Sequence, residues 1–189
     1  PAGQALAIGI LFEGSLGIFA LVIGWLYGIS PLVDLQWDIA AFGAGVAASL
    51  PLFIMFLAFE RWPIGPLAKI REVLSRILIP MLGASGAGGL FAISVCAGLG
   101  EEMLFRGTLQ AVLSDWFGNE LGLIASSILF GLAHAVTTTY AVIAAIIGVY
   151  LGWLWNVTGN LLAPITAHAL YDFLALTYMV RKERRKAGS

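Results

Sequence analysis

Residues 5–27 read ALAIGILFEGSLGIFALVIGWLY, an apolar run with a single charged side chain, Glu13. A helix needs roughly 20 apolar residues to cross the hydrocarbon core of a bilayer. The run has that length, and it lacks the basic flank and the short apolar core of a cleavable signal peptide. We therefore expect a permanent transmembrane helix from Ala5 to Tyr27.

The composition extends this expectation to the whole chain. Of the 189 residues, 60% are hydrophobic and 11% are charged, whereas soluble domains have about 45–50% and about 25%. Lipid must therefore cover much of the surface. Further apolar stretches cover residues 39–59, 86–113, 121–138, 140–155 and 161–180. The sequence thus predicts an all-α polytopic membrane bundle of about six transmembrane helices, forming a single transmembrane domain over residues 1–189.

The segment between the second and third spans has a different pattern. Apolar residues recur there at helical spacing, while Lys69, Arg71, Glu72 and Arg76 lie mostly on the other face. The apolar residues are Leu67, Ile70, Val73, Leu74, Ile77 and Leu78. This pattern predicts an amphipathic helix in the membrane interface.

The distribution of charge predicts an orientation. The stretch from Arg61 to Arg76 and the tail from Arg181 to Lys186 carry most of the positive charge. The positive-inside rule places both, and both termini, in the cytoplasm. The net charge of −1 gives no electrostatic attraction to nucleic acid, so no nucleic-acid partner is expected.

Several ionisable side chains lie within the predicted spans, where each costs roughly 2.5–3.5 kcal/mol to insert. They are Glu101, Glu102 and Arg106 on the third span, His134 on the fourth, and His168 and Asp172 on the sixth. All fall within roughly 10 Å of their helix midpoints at a rise of 1.5 Å per residue. We expect Glu101, His134 and His168 to converge within roughly 8 Å, which leaves room for one water or metal ion.

Spacing along the helices refines this cluster. Glu102 and Arg106 are four residues apart, so they share a helix face and can form an ion pair. Glu101 is rotated by about 100° from Glu102 and points elsewhere. His168 and Asp172 also share one face.

Three segments in this order resemble the motifs of the CPBP family, which contains the CAAX prenyl endopeptidases and the bacterial Abi proteins. The segments are EEMLFR at 101–106, FGLAH at 130–134 and HALYD at 168–172. The corresponding family motifs are EExxxR, FxxxH and HxxxN or HxxxD. The resemblance covers a core of residues 86–180, and Asp172 stands where the eukaryotic enzymes have Asn.

The resemblance implies an intramembrane endopeptidase in a multi-pass protein of the bacterial plasma membrane, acting on a membrane protein or a lipidated peptide. Glu101 and His134 would activate a water, while His168 and Asp172 would stabilise the oxyanion or complete a metal site. Glu102 is counted with these catalytic residues, where it would be held by Arg106 and orient the site. Arg106 and Phe130 would give structural support. Zinc bound by Glu101, His134, His168 and Asp172 and a metal-free water both remain open.

Other readings compete with this one. Gly83–Gly86 match GxSG, the short serine motif of rhomboid proteases, but nothing in that chemistry needs two glutamates. The HExxH motif of zinc proteases is absent, and a two-aspartate mechanism lacks a second aspartate within the spans. A non-enzymatic immunity or binding protein, or a proton pathway using Glu13, is the alternative from another functional class.

Hydrolysis also requires water inside the bilayer. We expect a water-filled cavity that reaches Glu101 from one face, because backbone groups without partners are not tolerated against lipid. The resemblance implies the cytoplasmic face, since the related prenyl-protein enzymes act on cytosolic tails. Small or polar residues near the motifs are expected to line it. These are Gly98, Gly100, Thr137, Thr138, Thr166 and Ala167.

Overall fold

The computed structural model describes residues 2–188, so Pro1 and Ser189, the ends of the predicted domain, lie outside the description. Within this range the chain forms helices and contains no strand. The helices are α1 (Ala2–Tyr27), α2 (Ile39–Arg61), α3 (Pro66–Leu82), α4 (Ala87–Leu104), a π-helical segment (Phe105–Gln110), α5 (Ala111–Phe117), α6 (Asn119–Ala133), α7 (Thr138–Thr158) and α8 (Leu162–Ala187).

A helix is present at each of the predicted spans. In the described part of the chain, four stretches are long and apolar enough to cross a membrane. They are Gly3–Tyr27, Ile39–Arg61, Ala87–Phe117 and Thr138–Thr158. The helix α6 has 15 residues and is shorter, and α8 carries His168, Asp172 and the basic tail. The predicted all-α membrane bundle is confirmed, while complete spanning by α6 and α8 stays a prediction.

The predicted end of the fourth span is wrong. The helix α6 ends at Ala133, and His134 caps it instead of lying inside a span. The His134 ring donates from Nδ1 to the Phe130 carbonyl oxygen at 2.9 Å, and the Thr137 hydroxyl accepts from the Tyr140 amide at 3.1 Å. These side-chain bonds end one helix and begin the next, so His134 lies at a helix terminus.

Polar contacts join neighbouring segments of the chain at each end of the bundle. At one end, Lys182 of α8 pairs with Glu60 of α2. Arg184 donates to the Gly83 and Ser85 carbonyl oxygens of the α3–α4 loop at 2.8 and 2.9 Å. The basic stretch and the basic tail therefore lie at the same end, as the charge distribution predicts. At the other end, Asn160 donates to the Gln36 carbonyl oxygen at 2.8 Å.

Glycines allow the helices to pack closely. A Cβ at Gly45 would lie 2.5 Å from the Ala163 carbonyl oxygen, so α2 and α8 meet backbone to backbone. A Cβ at Gly148 would lie 3.1 Å from Ser127 Cα, and one at Gly152 would lie 2.4 Å from the side chain of Gln110. Small residues let helices approach in this way in membranes.

The α1–α4 contact gives a test of this packing. A Cβ at Gly100 would lie 2.1 Å from the Glu13 carbonyl oxygen, whereas one at Gly88, on the same helix, meets nothing within 4 Å. Gly100→Ala should therefore destabilise the protein by about 1–3 kcal/mol. Gly88→Ala should be neutral, or stabilising by up to about 1 kcal/mol. Unfolding in detergent measures both, and equal stabilities would contradict this packing.

Candidate active site

A buried ionic network lies at the centre of the site. Glu102 Oε1 accepts from Arg106 Nη1 at 2.7 Å and from His168 Nδ1 at 2.7 Å. The Arg106 side chain is 1% exposed and that of Glu102 is fully buried. The predicted Glu102–Arg106 ion pair is confirmed, and it also fixes the ring of His168 on α8.

Arg106 lies on the π-helical segment, which the sequence analysis did not predict. The segment continues α4 directly, and Thr108 on it donates to the carbonyl oxygens of Ala20 and Met103 at 3.2 and 3.1 Å. Arg106 Nη2 donates to the Gly148 carbonyl oxygen of α7 at 3.0 Å. Single π turns within α-helices are frequent at functional sites, and this one directs Arg106 towards Glu102 and α7.

Phe130 is the apolar side chain around which the site is assembled. The Arg106 guanidinium carbon lies 4.5 Å from the centre of its ring. The rings of His134 and His168 lie 4.4 and 6.1 Å away, centre to centre, and Phe105 packs edge-on at 5.0 Å. Phe130 thus packs against both histidines, and its supporting role stays a prediction.

Glu101 and His134 face each other without direct contact. Because His134 Nδ1 is bonded to the Phe130 carbonyl, its other nitrogen, Nε2, is free, and it lies 3.6 Å from Glu101 Oε2. Glu101 Oε2 is buried, and no N–H or O–H group of the protein donates to it. The Glu13 carboxyl group lies within hydrogen-bond reach of the Glu101 side chain. A separation of 3.6 Å is too long for a direct hydrogen bond, so both atoms are left to bind a water that lies beside them.

His168 and Asp172 form the opposite side of the cluster. His168 donates from Nδ1 to Glu102, so its Nε2 points away from the network and lies 3.6 Å from Asp172 Oδ2. His134, His168, Glu101 and Asp172 all border one cavity, whereas Glu102 and Arg106 lie behind it. The predicted convergence of the motif residues is therefore observed, with Glu102 in the supporting position.

The cavity has a volume of about 770 Å³. The polar cluster lies at its inner end, while Glu60 and Arg71 border it near the basic end of the bundle. Most of the wall is apolar, and one side is formed by α3 through Leu67, Ile70, Leu74, Ile77, Leu78, Met81 and Leu82. The predicted amphipathic helix is present, and its apolar face covers this cavity.

The predicted lining of the cavity is wrong. None of the six small or polar residues expected there borders it. Three of them lie in helix contacts instead: a Cβ at Gly98 would meet Ala169, one at Gly100 would meet Glu13, and Thr166 packs against Gly45. Gly98, Gly100 and Thr166 thus bring helices together, and large apolar side chains form most of the cavity wall.

Two polar residues of the cavity were not assigned to the site from the sequence. Glu13 of α1 borders it, and its Oε2 is buried without a hydrogen-bond partner. Tyr140 of α7 also borders it, with its ring 6.2 Å from that of His134. The sequence does mark Glu13 as a candidate, since it is the single charge in the first span. Nothing in the sequence marks Tyr140.

The predicted zinc site finds no support in the donor arrangement. A zinc site needs about three nitrogen, oxygen or sulfur ligands from the protein. Within residues 2–188, no three His, Cys, Asp or Glu side chains are grouped so that they would hold a metal ion. The possible ligand atoms face each other in two pairs, Glu101 Oε2 with His134 Nε2 and His168 Nε2 with Asp172 Oδ2. These residues do not fit a zinc centre, and no step below uses one.

Comparison with protein families identifies the segment that carries this cluster. Residues 84–174, just under half of the chain, match the family model described as type II CAAX prenyl endopeptidase Rce1-like. Residues 84–174 are therefore similar to this family and form the Rce1-like segment. The Rce1-like segment contains the motif residues on α4, α6 and α8, and the family supports intramembrane proteolysis of the CAAX type in general. Comparisons with curated proteins and with solved structures gave no match.

The Rce1-like segment and the apolar helices together show an integral membrane protein. The helices α1, α2 and α3 lie outside the segment. They nevertheless contribute Glu13, Glu60 and the α3 wall to the cavity. A relation to the Abi proteins and a bacterial plasma-membrane location stay predictions.

Two Glu–Arg pairs with the same spacing offer a matched test of the buried network. Arg106→Ala leaves the buried Glu102 carboxylate without its cation and should cost about 3–5 kcal/mol. Arg76→Ala breaks the Glu72–Arg76 pair, which has nearly the same length, 2.6 Å against 2.7 Å, but is exposed. It should cost no more than about 0.5 kcal/mol. Thermal or denaturant unfolding in detergent compares them, and similar losses would show that Glu102 does not depend on Arg106.

Proposed function

We propose that the protein is an intramembrane endopeptidase in which Glu101 and His134 activate a water that attacks a peptide bond. The observation that carries the proposal is the facing pair at the inner end of the cavity. Glu101 Oε2 is buried, no N–H or O–H group of the protein donates to it, and it lies 3.6 Å from the free Nε2 of His134. The similarity of residues 84–174 to the family supports the class of reaction.

The chemistry follows from these two groups. His134 Nε2 accepts one hydrogen bond from the water and orients it, and Glu101 removes a proton as the water oxygen attacks the carbonyl carbon. When the C–N bond breaks, Glu101 returns that proton to the leaving amine. One water is consumed, and Glu101 and His134 end as they began.

Groups on the other side of the cavity stabilise the charge on the carbonyl oxygen. Tyr140 borders the cavity and packs near His134, and its hydroxyl is a hydrogen-bond donor. A proton on His168 Nε2, opposite Asp172 at 3.6 Å, would act in the same way. Glu102 and Arg106 hold His168 in place and touch no substrate. Donors arranged in advance around a developing oxyanion are a large part of such catalysis.

The shape of the cavity indicates the class of substrate. An extended peptide brings backbone donors and acceptors that need polar partners away from water, and these are found near Glu101. The rest of the wall is apolar and leads towards the basic end of the bundle. We propose a membrane-associated peptide or protein segment with an apolar or lipidated group in the outer cavity. The substrates named for the family are CAAX prenyl proteins.

A proton pathway is the second candidate, because Glu13 adds a carboxyl group to Glu101, His168 and Asp172 around one cavity. Proton flux through liposomes containing the protein would reveal it. A pathway conducts protons without any peptide, whereas a peptidase does not. The same Glu101→Gln variant can be used in both assays.

The main test is the loss of Glu101 as a base. Glu101→Gln keeps the shape of the side chain but cannot take up the proton, so turnover should fall by about 10²–10⁴-fold while the unfolding temperature is maintained. Cleavage of a membrane-peptide library that includes prenylated peptides measures this. The matched control, Glu183→Gln, removes a carboxylate that is paired with Lys186 and does not border the cavity. It should keep the turnover number, and near-normal turnover in Glu101→Gln would sink the proposal.

Metal dependence has its own test. Since the donors do not form a three-ligand site, purified protein should contain no stoichiometric zinc, and treatment with a chelator should leave its turnover unchanged. Elemental analysis and cleavage after chelation measure the two quantities. Stoichiometric zinc that is lost in His134→Ala, together with inactivation by the chelator, would replace the metal-free water with a metal-bound one.

A further inference from the structure

A second groove lies between α2 and α8, apart from the catalytic cavity. It has a volume of about 600 Å³. Its lower part is bordered by Phe53 of α2 and by Leu174 and Tyr178 of α8. Its upper part is basic and is bordered by Arg181, Lys182, Arg185 and Lys186. The groove thus changes from apolar to cationic along the direction in which α8 runs.

The groove lies at the basic end of the bundle. The helices α2 and α8 run parallel, since Gly45 packs on Ala163 near one end and Glu60 pairs with Lys182 near the other. The cationic part therefore lies where these helices end, and the apolar part lies deeper. A bilayer has the same order, with headgroups outside and acyl chains inside.

The charges of the groove are incompletely neutralised. Lys182 is paired with Glu60 and Lys186 with Glu183. Arg181 and Arg185 are exposed, and across residues 2–188 no acidic side chain forms a salt bridge with either. Two guanidinium groups are therefore available to an anion. Guanidinium donors bind phosphate with two parallel hydrogen bonds.

One buried hydroxyl group completes the arrangement. Thr177 borders the groove, and its Oγ1 is buried without a hydrogen-bond partner. Thr177, Arg181 and Arg185 follow one another at intervals of four residues on α8, so they share a face and are about 6 Å apart along the axis. A hydroxyl donor thus lies one turn deeper than the first arginine.

We propose that this groove binds one anionic glycerophospholipid. The acyl chains pack on Phe53, Leu174 and Tyr178, and the Thr177 hydroxyl donates to an ester carbonyl oxygen. Arg181 binds the phosphate, and Arg185 binds the phosphate and the headgroup next to it. The order of the four parts along α8 matches the order of the parts of the lipid: chain, ester, phosphate and headgroup. The proposal does not depend on the peptidase activity.

The experiment measures lipid binding to the full-length protein in detergent by native mass spectrometry and by thermal unfolding. The probes are phosphatidylglycerol and phosphatidylcholine with identical acyl chains. The wild-type protein should retain one phosphatidylglycerol in preference to phosphatidylcholine. Arg181→Gln/Arg185→Gln should bind phosphatidylglycerol at least about tenfold more weakly, with its fold retained.

The matched control is Arg61→Gln/Lys69→Gln, which removes the same charge from exposed residues at the same end of the bundle but outside the groove. This variant should bind phosphatidylglycerol as the wild-type protein does. Equal weakening in the two double variants would overturn the site and leave only diffuse attraction to anionic membranes.

Two further arms identify the contacts. Thr177→Val should weaken binding of ester-linked phosphatidylglycerol but not of its ether-linked analogue, because the ether lacks the carbonyl acceptor. An equal effect on both lipids would contradict the contact with Thr177. Soluble glycerol phosphate should not displace the lipid, and displacement by it at similar concentrations would show a simple phosphate site instead.

Discussion

A single carboxylate oxygen holds the site together. Glu102 Oε1 accepts from Arg106 and from His168, and so it joins the π-helical segment to α8. Arg106 in turn reaches α7 through the Gly148 carbonyl and α6 through the ring of Phe130. A charge with no exposure to solvent is tolerable only with such partners. The positions of both histidines follow, because each packs on Phe130 or bonds to Glu102.

The cavity combines two environments that a protease in a bilayer has to provide. Its inner end offers carboxyl, imidazole and phenol groups to a polar peptide bond, while its walls offer apolar side chains from α3 and its neighbours. The α3 helix is amphipathic for this reason: its apolar face covers the cavity, and exposed pairs such as Glu72–Arg76 lie on the other side. The polar cluster is thereby separated from lipid without being closed to a substrate of mixed character.

The sequence predicted most of the helices and the motif cluster, because both follow from local rules. Runs of apolar residues give spans, and spacing of four residues gives the Glu102–Arg106 pair. The sequence did not predict that His134 caps α6, because that end depends on bonds to Phe130 and within the Thr137 cap, which hydropathy does not register. The π turn depends on contacts between Thr108 and distant carbonyls. The sequence wrongly predicted Gly98 and Gly100 on the cavity wall, because a small residue suits a cavity wall and a helix contact equally well.

The division between the family segment and the rest of the chain has an evolutionary consequence. The motif residues lie within residues 84–174, whereas the α3 wall of the cavity comes from the chain before them. The motif residues and the α3 part of the apolar cavity wall are therefore encoded in separate stretches of sequence. Substitutions in α3 can reshape that surface while the Glu102–Arg106–His168 network is untouched. Members of such a family can diverge in what they accept and keep the same chemistry.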